Sequence, residues 1–215
     1  MRAVVVLGGD LPGRELLTAC AAEADLTIAA DRGLTAFHAC GLLPDYLIGD
    51  MDSVAPEVLS CYAEQVEQRR LPCEKDDTDG FEALYAAIGR GADEIVFLGA
   101  LGGRLAHALA NLMLLVRAAQ AGVRAELLDE QVRIFRVDGH AVLRHAVGDT
   151  VSILPLGTAE HITLTGFHYP LTDGHMDSAS SLGISNVVEA EQAEISCASG
   201  DLLVFHWYRG LRAAN

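Results

Sequence analysis

Short apolar runs rich in β-branched residues alternate with longer amphipathic segments through the part of the chain before Gln131. Alternation of this kind is typical of βαβ units built around a parallel sheet. We predict strands near Ala3–Leu7, Leu26–Ala30, Tyr46–Ile48, Val66–Leu71, Ile95–Leu98 and Ala125–Leu128. The pattern therefore predicts an α/β domain with a Rossmann-like parallel sheet over residues 1–130.

Two segments show the clearest helical periodicity. In the first, which follows Asp79, apolar residues fall at i, i+3, i+4 and i+7, namely Phe81, Leu84, Tyr85 and Ile88. Asp79 and Glu82 resemble a capping box at the start of this helix. The second segment begins near Leu105 and is apolar on most sides, so we expect a helix packed between the sheet and neighbouring elements.

From Gln131 onward the pattern changes to short β-prone runs separated by Gly, Asp and Pro. These runs are RIFRVDG, HAVLRHA, DTVSILPL, HITLTGFHYPL, AEISCA and DLLVFHWYRG. Such spacing is typical of a sandwich or barrel, and we predict a C-terminal β-sandwich over residues 131–215. The polar, glycine-containing stretch Thr172–Ser181 is expected to be a mobile loop.

Charge narrows the choice of partners. The formal net charge of −15 is opposite to the clustered Lys and Arg that binding to a phosphate backbone requires. Nucleic acid and anionic membranes are therefore not expected as partners. An anionic substrate would need local capture by a metal ion, backbone amides or a few placed cations, because the overall field repels it.

The cysteines indicate the compartment. There are five, widely spaced and without a C-x-x-C pair, which fits reduced thiols better than a disulfide framework or a zinc site. The first residues, MRAVVVLGGD, have one basic residue and an apolar run too short for a signal sequence. We expect a cytoplasmic protein.

Polar groups follow four of the predicted strands. In an open α/β sheet, ligands bind beyond the carboxyl ends of the strands, so these loops should converge on one edge. They are Asp31-Arg32-Gly33, Gly49-Asp50-Met51-Asp52-Ser53, Lys75-Asp76-Asp77-Thr78-Asp79 and Gly99-Ala100-Leu101-Gly102-Gly103-Arg104.

The acidic members of these loops predict a metal site. Mg²⁺ prefers oxygen ligands and often bridges substrate phosphates. Asp50 and Asp52, with Asp76 or Asp79 across the crevice, could supply such ligands. Taken one at a time, Asp50, Asp52, Ser53 and Asp79 could equally cap helices or form turns. Together, carboxylates crowded at one sheet edge would repel one another unless a cation lay between them.

The glycine-rich loop before the second helix predicts an anion site. Its backbone amides can approach an anion closely, and the guanidinium of Arg104 can bind phosphate oxygens as a fork. Arg104, His107 and Asn111 fall at i, i+3 and i+7 and share one helix face. The alternative for His107 and Asn111 is a hydrogen-bonded structural pair. The loop matches neither a Walker A sequence nor the G-x-G-x-x-G fingerprint.

A set of motifs resembles, in order and spacing, the bacterial thiamine pyrophosphokinase family over nearly the whole chain. The motifs are AADRG, PDYLIGDMDS, KDDTD, GALGGRLAHALAN, SILPLG, TLTGFHYPL and GISN. The resemblance implies an ATP-binding α/β domain, a thiamine-binding β-sandwich, and a homodimer with thiamine where two subunits meet. It also implies Mg²⁺-assisted transfer of a diphosphate group from ATP to thiamine, with release of AMP.

The resemblance further implies roles for single residues. Asp50, Asp52 and Asp79 would surround Mg²⁺ and the phosphates. The remaining contacts would come from Asp31 near the nucleotide, from Lys75, Arg104 and Asn111 at the phosphates or nucleotide, and from Ser185 and Asn186 at thiamine. For Ser185 and Asn186 the alternative is a simple turn between strands.

One position departs from the family pattern, which usually reads G-G-R-x-D-H. Here Ala106 stands in place of the acid, and a methyl group cannot bind a metal, accept a proton or orient an amine. Three explanations of Ala106 stay open. The chain could be a slower enzyme, a variant made inactive deliberately, or a natural member of the family in which Asp76 or Asp77 takes the place of the missing acid. Two other functions therefore stay open: a catalytically weakened sensor of thiamine or nucleotide, and a metal-dependent phosphohydrolase.

Overall fold

The computed structural model describes residues 1–62, 64–72, 74 and 76–208. The described residues divide into two compact units, 1–130 and 131–208. The first unit combines helices with a parallel sheet and the second is built from antiparallel strands. The predicted α/β class is thereby confirmed. Among the described residues, no helix has the length and apolar character needed to cross a membrane.

The first unit alternates strands and helices along the chain. Its strands are β1 (Arg2–Val6), β2 (Leu26–Ala30), β3 (Tyr46–Gly49), β4 (Glu67–Arg70), β5 (Glu94–Leu98) and β6 (Arg124–Leu128). Its helices are α1 (Arg14–Ala22), α2 (Leu34–Cys40), α3 (Pro56–Tyr62), α4 (Asp79–Gly89) and α5 (Leu105–Gln120). A short 3-10 helix covers Asp31–Gly33.

The strand order of this unit creates a crevice. The order is β4-β3-β2-β1-β5-β6, and every pair is parallel. The chain adds strands outward from β1 in one direction and then returns to place β5 on the other side of β1. The strand order reverses between β1 and β5, and ligands bind beyond the carboxyl ends of strands at such a point.

Burial explains why the central strands form where they do. All five residues of β2 are buried, as are the last four of β1 and of β5. Continuous apolar runs of this kind are typical of parallel strands covered on both faces. On one side of the sheet, Leu17 and Phe37 pack against Val4 and Leu47 in a buried cluster.

The second unit is organised around one long strand. Its strands are β7 (Val132–Arg136), β8 (His140–Arg144), β9 (Thr150–Thr165), β10 (Leu171–Asp177), β11 (Asn186–Val187), β12 (Gln192–Ser196) and β13 (Ser199–Trp207). The order is β7-β13-β9-β12-β8, with β10 and β11 also paired to β9. One apolar cluster, which includes Val151, Ile162 and Val204, forms its core.

Two details of the second unit differ from the prediction. The runs DTVSILPL and HITLT were expected as separate strands, but both belong to β9. The polar segment between them stays in the strand because β9 pairs there with β10 and β13. The mobile loop expected over Thr172–Ser181 is wrong for its first half, because β10 pairs with β9 there. Register shifts next to Gly174 accommodate the polar sequence.

Candidate active site

The carboxyl ends of β3, β2, β1 and β5 form a continuous edge held by close backbone contacts. A Cβ at Gly33 would lie 2.0 Å from the carbonyl oxygen of Val6, and a Cβ at Gly9 would lie 2.1 Å from that of Leu101. Only glycine permits such approaches. The amide of Gly9 also donates to the carbonyl of Gly99 at 2.8 Å. The loops after β1, β2 and β5 are thereby fixed against one another.

Three carboxylates meet at this edge. Oxygen atoms of Asp31, Asp50 and Asp52 lie within 4.8 Å of one another. The backbone amide of Asp52 donates to Oδ1 of Asp50 at 3.1 Å, and the hydroxyl of Ser53 donates to Oδ2 of Asp31. Asp31 and Met51 have φ values of 47° and 67°, in a region that non-glycine residues rarely adopt. These strained residues lie in the two loops that bring the three acids together, and strain of this kind is often found at functional sites.

The pKa of the Asp31 carboxyl is raised. Burial raises its pKa above the ordinary value, the charges of Asp79 and Asp50 raise it further, and the hydrogen bond from Ser53 opposes the rise. Its Oδ1 atom is buried and has no hydrogen-bond partner among the described residues. A buried carboxylate oxygen without a partner, next to two other acids, fits a hard cation such as Mg²⁺.

Asp31→Asn is expected to stabilise the metal-free protein. A raised pKa means that the carboxyl contributes stability below its ordinary pKa of 3.8, and that this contribution is lost as the pH rises through the folded-state pKa. An amide avoids that loss. We expect a melting temperature roughly 2–4 °C above the parent for each kcal/mol gained at pH 7 in EDTA, and no difference near pH 4. A melting temperature at pH 7 no higher than the parent's would contradict a desolvated charge at Asp31.

The loop before α4 contributes the fourth predicted acid. Asp79 is the first residue of α4, and Thr78 is its N-cap residue. The hydroxyl of Thr78 is buried without a hydrogen-bond partner in the described part of the chain. Asp79 lies outside the group of three but close enough to raise the pKa of Asp31. Asp76 is exposed, and Lys75 lies outside the described residues.

The glycine-rich loop leads into α5 at the same edge. Gly102 and Gly103 both have positive φ, 76° and 61°, and turn the chain into the helix. Arg104 is the N-cap residue of α5 and makes no side-chain capping hydrogen bond in the described structure. Arg104 and His107 are exposed. The first amides of α5 and the guanidinium of Arg104 can therefore receive an anion.

Asn111 has a structural contact with this loop. Its amide nitrogen donates to the carbonyl of Ala100 at 2.7 Å, and its Oδ1 would lie 3.2 Å from a Cβ at Gly80. Asn111 thus fixes the glycine-rich loop against the start of α4. This placement brings Asp79, which precedes Gly80, to the same corner of the edge.

The two predicted thiamine contacts lie on β11 and just before it. The amide of Ser185 donates to the hydroxyl of Ser152 at 3.1 Å, and Ser185 is exposed with a φ of 57°. Asn186 is buried. Its side chain accepts from the amide of Tyr169 at 2.9 Å and donates to the Tyr169 carbonyl at 2.8 Å. Asn186 therefore holds the segment that carries Tyr169.

The sequence prediction placed Asp31 near a nucleotide and did not include it among the metal ligands. The register of β2 with β3, in which Ala30 pairs with Ile48, brings Asp31 beside Gly49 and the two acids that follow. The sequence does show that the motifs AADRG and IGDMDS each place an acid directly after a strand. These acids can be assigned to one group only when the two strands are known to be neighbours in the sheet.

Comparison with known proteins gives a consistent result. A family model described as thiamin pyrophosphokinase, catalytic domain, matches residues 17–127, and one described as thiamin pyrophosphokinase, vitamin B1 binding domain, matches residues 140–202. A thiamine pyrophosphokinase of Bacillus subtilis is 30% identical over 213 residues, covering 93% of this chain and 95% of the relative. Thiamine pyrophosphokinase 1 of Oryza sativa is 31% identical, covering 79% of this chain and 67% of the relative.

Solved structures agree with these matches. The crystal structure of the Bacillus subtilis thiamine pyrophosphokinase has a TM-score of 0.86 and 28% identity, covering 97% of this chain and 100% of that one. The structure from Geobacillus thermodenitrificans has a TM-score of 0.81 and 30% identity, covering 97% and 98%. The structure from Candida albicans has a TM-score of 0.83 at 16% identity, covers 97% and 89%, and shows the likeness of the fold alone.

Proposed function

The chain belongs to the thiamine pyrophosphokinase family, and on that basis we propose that its first unit binds ATP with Mg²⁺ and passes a pyrophosphoryl group to thiamine held by its second unit. The family reaction joins the hydroxyl oxygen of thiamine to the β-phosphorus of ATP. The bond between that phosphorus and the oxygen bridging to the α-phosphate breaks. AMP leaves with the bridging oxygen, and the hydroxyl loses a proton.

The single observation that carries the proposed site is the group formed by Asp31, Asp50 and Asp52. These acids would hold Mg²⁺, and Asp79 adds a fourth carboxylate beside them. A bound Mg²⁺ supplies charge neutralisation at the phosphate oxygens. The hydroxyl proton would pass to one of the carboxylates at this edge, since they are the basic groups gathered there.

The remaining predicted residues are proposed to position the substrates. Arg104 and the first turn of α5 face the phosphates, because a forked guanidinium beside a helix N-terminus suits phosphate oxygens. Gly102 and Gly103 allow the backbone to approach them, and Asn111 holds the loop through Ala100. Ser185 is proposed on the thiamine side, with Asn186 acting through the segment that carries Tyr169.

Some finer features stay predictions. We propose that the second unit is a β-sandwich, because β9 pairs with different strands along its length. A homodimer with thiamine bound between subunits, Mg²⁺ as the ion and a cytoplasmic location are proposed on the family resemblance and the sequence. Sedimentation at several protein concentrations measures whether the chain forms a homodimer.

The proposed activity is tested by product analysis. With ATP, Mg²⁺ and thiamine, we expect AMP and thiamine diphosphate in equal amounts, and neither product when thiamine is omitted. The other two functions are not favoured by family membership, and the same assay separates them. A sensor would give no AMP, while a phosphohydrolase would release free phosphate whether or not thiamine is present.

A further inference from the structure

The second unit ends, in the described part of the chain, with an exposed aromatic side chain. Trp207 is the single tryptophan among 215 residues and is the last residue of β13. It is 44% exposed and lies beyond residues 140–202, the range matched by the vitamin B1 binding domain. Tryptophan carries a large apolar surface and a polar N–H, so an exposed tryptophan next to a proposed ligand site is a candidate contact for that ligand.

Strand register places Trp207 on the same sheet face as the region around Ser185. Trp207 pairs with Thr150, and Phe205 pairs with Ser152, between β13 and β9. Directly paired residues of antiparallel strands point to the same face, and so do residues two apart on one strand. On the other side of β9, the Ser185 amide binds the Ser152 hydroxyl. One face therefore combines an indole ring, a phenyl ring and hydroxyl groups beside the predicted thiamine contact.

The opposite face of these strands is already filled. Val151, Ile153 and Val204 are fully buried in the core of the unit. The face of Trp207 is also buried at Leu203 and, on the neighbouring strand β7, at Val132 and Ile134. On the side of this face that adjoins β9, however, Phe205 and Ser152 are only half-buried. A molecule that covers this face would bury aromatic surface and could meet hydroxyl groups along its edge.

The chemistry of this face selects an occupant. Thiamine carries a permanently charged thiazolium ring and an aromatic aminopyrimidine ring. The face of an indole is the best side-chain surface for attracting a cation, and it also stacks on aromatic rings. We propose that Trp207 contacts the thiazolium ring of thiamine and favours the charged ring over a neutral one. This inference rests on the proposed function, because it assumes that thiamine binds to the second unit.

The tryptophan itself reports on the proposal. Because the chain has a single tryptophan, its fluorescence comes from position 207 alone. We expect a saturable change in emission on titration with thiamine, with a Kd equal to that found by calorimetry. Titration with ATP alone is expected to leave the emission unchanged.

Substitutions measure the contribution of the ring. Trp207→Leu is expected to raise the Kd for thiamine roughly 3- to 30-fold, the range expected for loss of a cation–π contact, and to leave ATP binding unchanged. Trp207→Phe, which keeps an aromatic face, should have a Kd for thiamine between those of the parent and of Trp207→Leu.

A neutral analogue with thiophene in place of thiazolium tests the role of the charge. The parent should bind this analogue more weakly than thiamine, and the difference between the two Kd values should be smaller in Trp207→Leu. Leu43→Ala, which trims another exposed apolar side chain, serves as a control with parental thiamine affinity.

The outcomes separate this inference from the proposed function. If the parent makes AMP with thiamine but Trp207→Leu binds thiamine and the neutral analogue as the parent does, the contact is refuted while the function stands. If emission depends on protein concentration and not on thiamine, and Trp207→Leu dissociates in sedimentation, a second copy of the chain covers this face and the inference is overturned. If the parent neither binds thiamine nor makes AMP, the proposed function itself fails.

Discussion

Asp52→Asn is expected to lower turnover at least about 100-fold, because a carboxylate that holds the metal contributes several kcal/mol of charge stabilisation in the transition state. Asp52 is the exposed member of the group of three, so we expect the amide to leave packing and the melting temperature unchanged. The backbone amide of residue 52 can still donate to Asp50 after the change. The loss should therefore be one of catalysis and not of folding.

The measurement is the initial rate of AMP formation over a series of Mg²⁺ concentrations. We expect Asp52→Asn to need more Mg²⁺ for half-maximal rate as well as to have a lower maximum. Glu64→Gln makes the same change of charge and shape at an exposed position after α3 and should match the parent. A rate for Asp52→Asn within a few-fold of the parent would contradict the proposal that Asp52 is a metal ligand.

The strands of the first unit could be predicted because their signal is local. β2 was predicted with its observed limits, Leu26–Ala30. A short apolar run between polar neighbours is typical of a buried parallel strand in an α/β chain. Helix α4 was predicted to within one residue: the capping pattern made Asp79 the N-cap residue, whereas Thr78 is the N-cap and Asp79 is the first residue of the helix. Residues near one another in sequence determine such features, so one sequence suffices.

The features that the sequence did not reveal depend on pairing between distant segments. β9 runs through Gly157, which has a positive φ. In the sequence this glycine interrupts the β-prone run, so the segments before and after it were predicted as separate strands. Only pairing with β13 and β10 keeps the strand continuous there. Asp31 joins Asp50 and Asp52 through the register of two neighbouring strands. The placement of Trp207 on the same sheet face as Ser152, whose hydroxyl binds the Ser185 amide, likewise needs three strands in register, and no local motif encodes it.

The role of Asn111 shows a different limit. The sequence offered two interpretations, a nucleotide contact or a structural hydrogen bond. The structure shows its amide bound to the carbonyl of Ala100, which supports the loop that would receive phosphates. A polar residue in an apolar helix can therefore serve a site by fixing its backbone, and the sequence does not distinguish this from direct contact.

Ala106→Asp is expected to raise kcat/KM roughly 10- to 1000-fold, the range associated with one positioned catalytic group. Ala106 is exposed and is the second residue of α5, whose first turn contains no acid. A carboxylate there would lie at the positive end of the helix dipole, beside His107 and close to Arg104. The family pattern has an acid at this position, so the present chain should work with reduced efficiency.

The same substitution should have little effect on folding. Attraction to the helix dipole is worth about 0.3–1 kcal/mol at an exposed site, and repulsion from the other carboxylates of the edge opposes it until Mg²⁺ binds. We therefore expect a nearly unchanged melting temperature without metal, and a larger rise on adding Mg²⁺ and ATP than in the parent. Ala106→Asn provides the matched neutral control and should not gain rate if the charge is what matters. Equal rates of thiamine diphosphate formation for the parent and Ala106→Asp would mean that an acid at position 106 is not needed for catalysis.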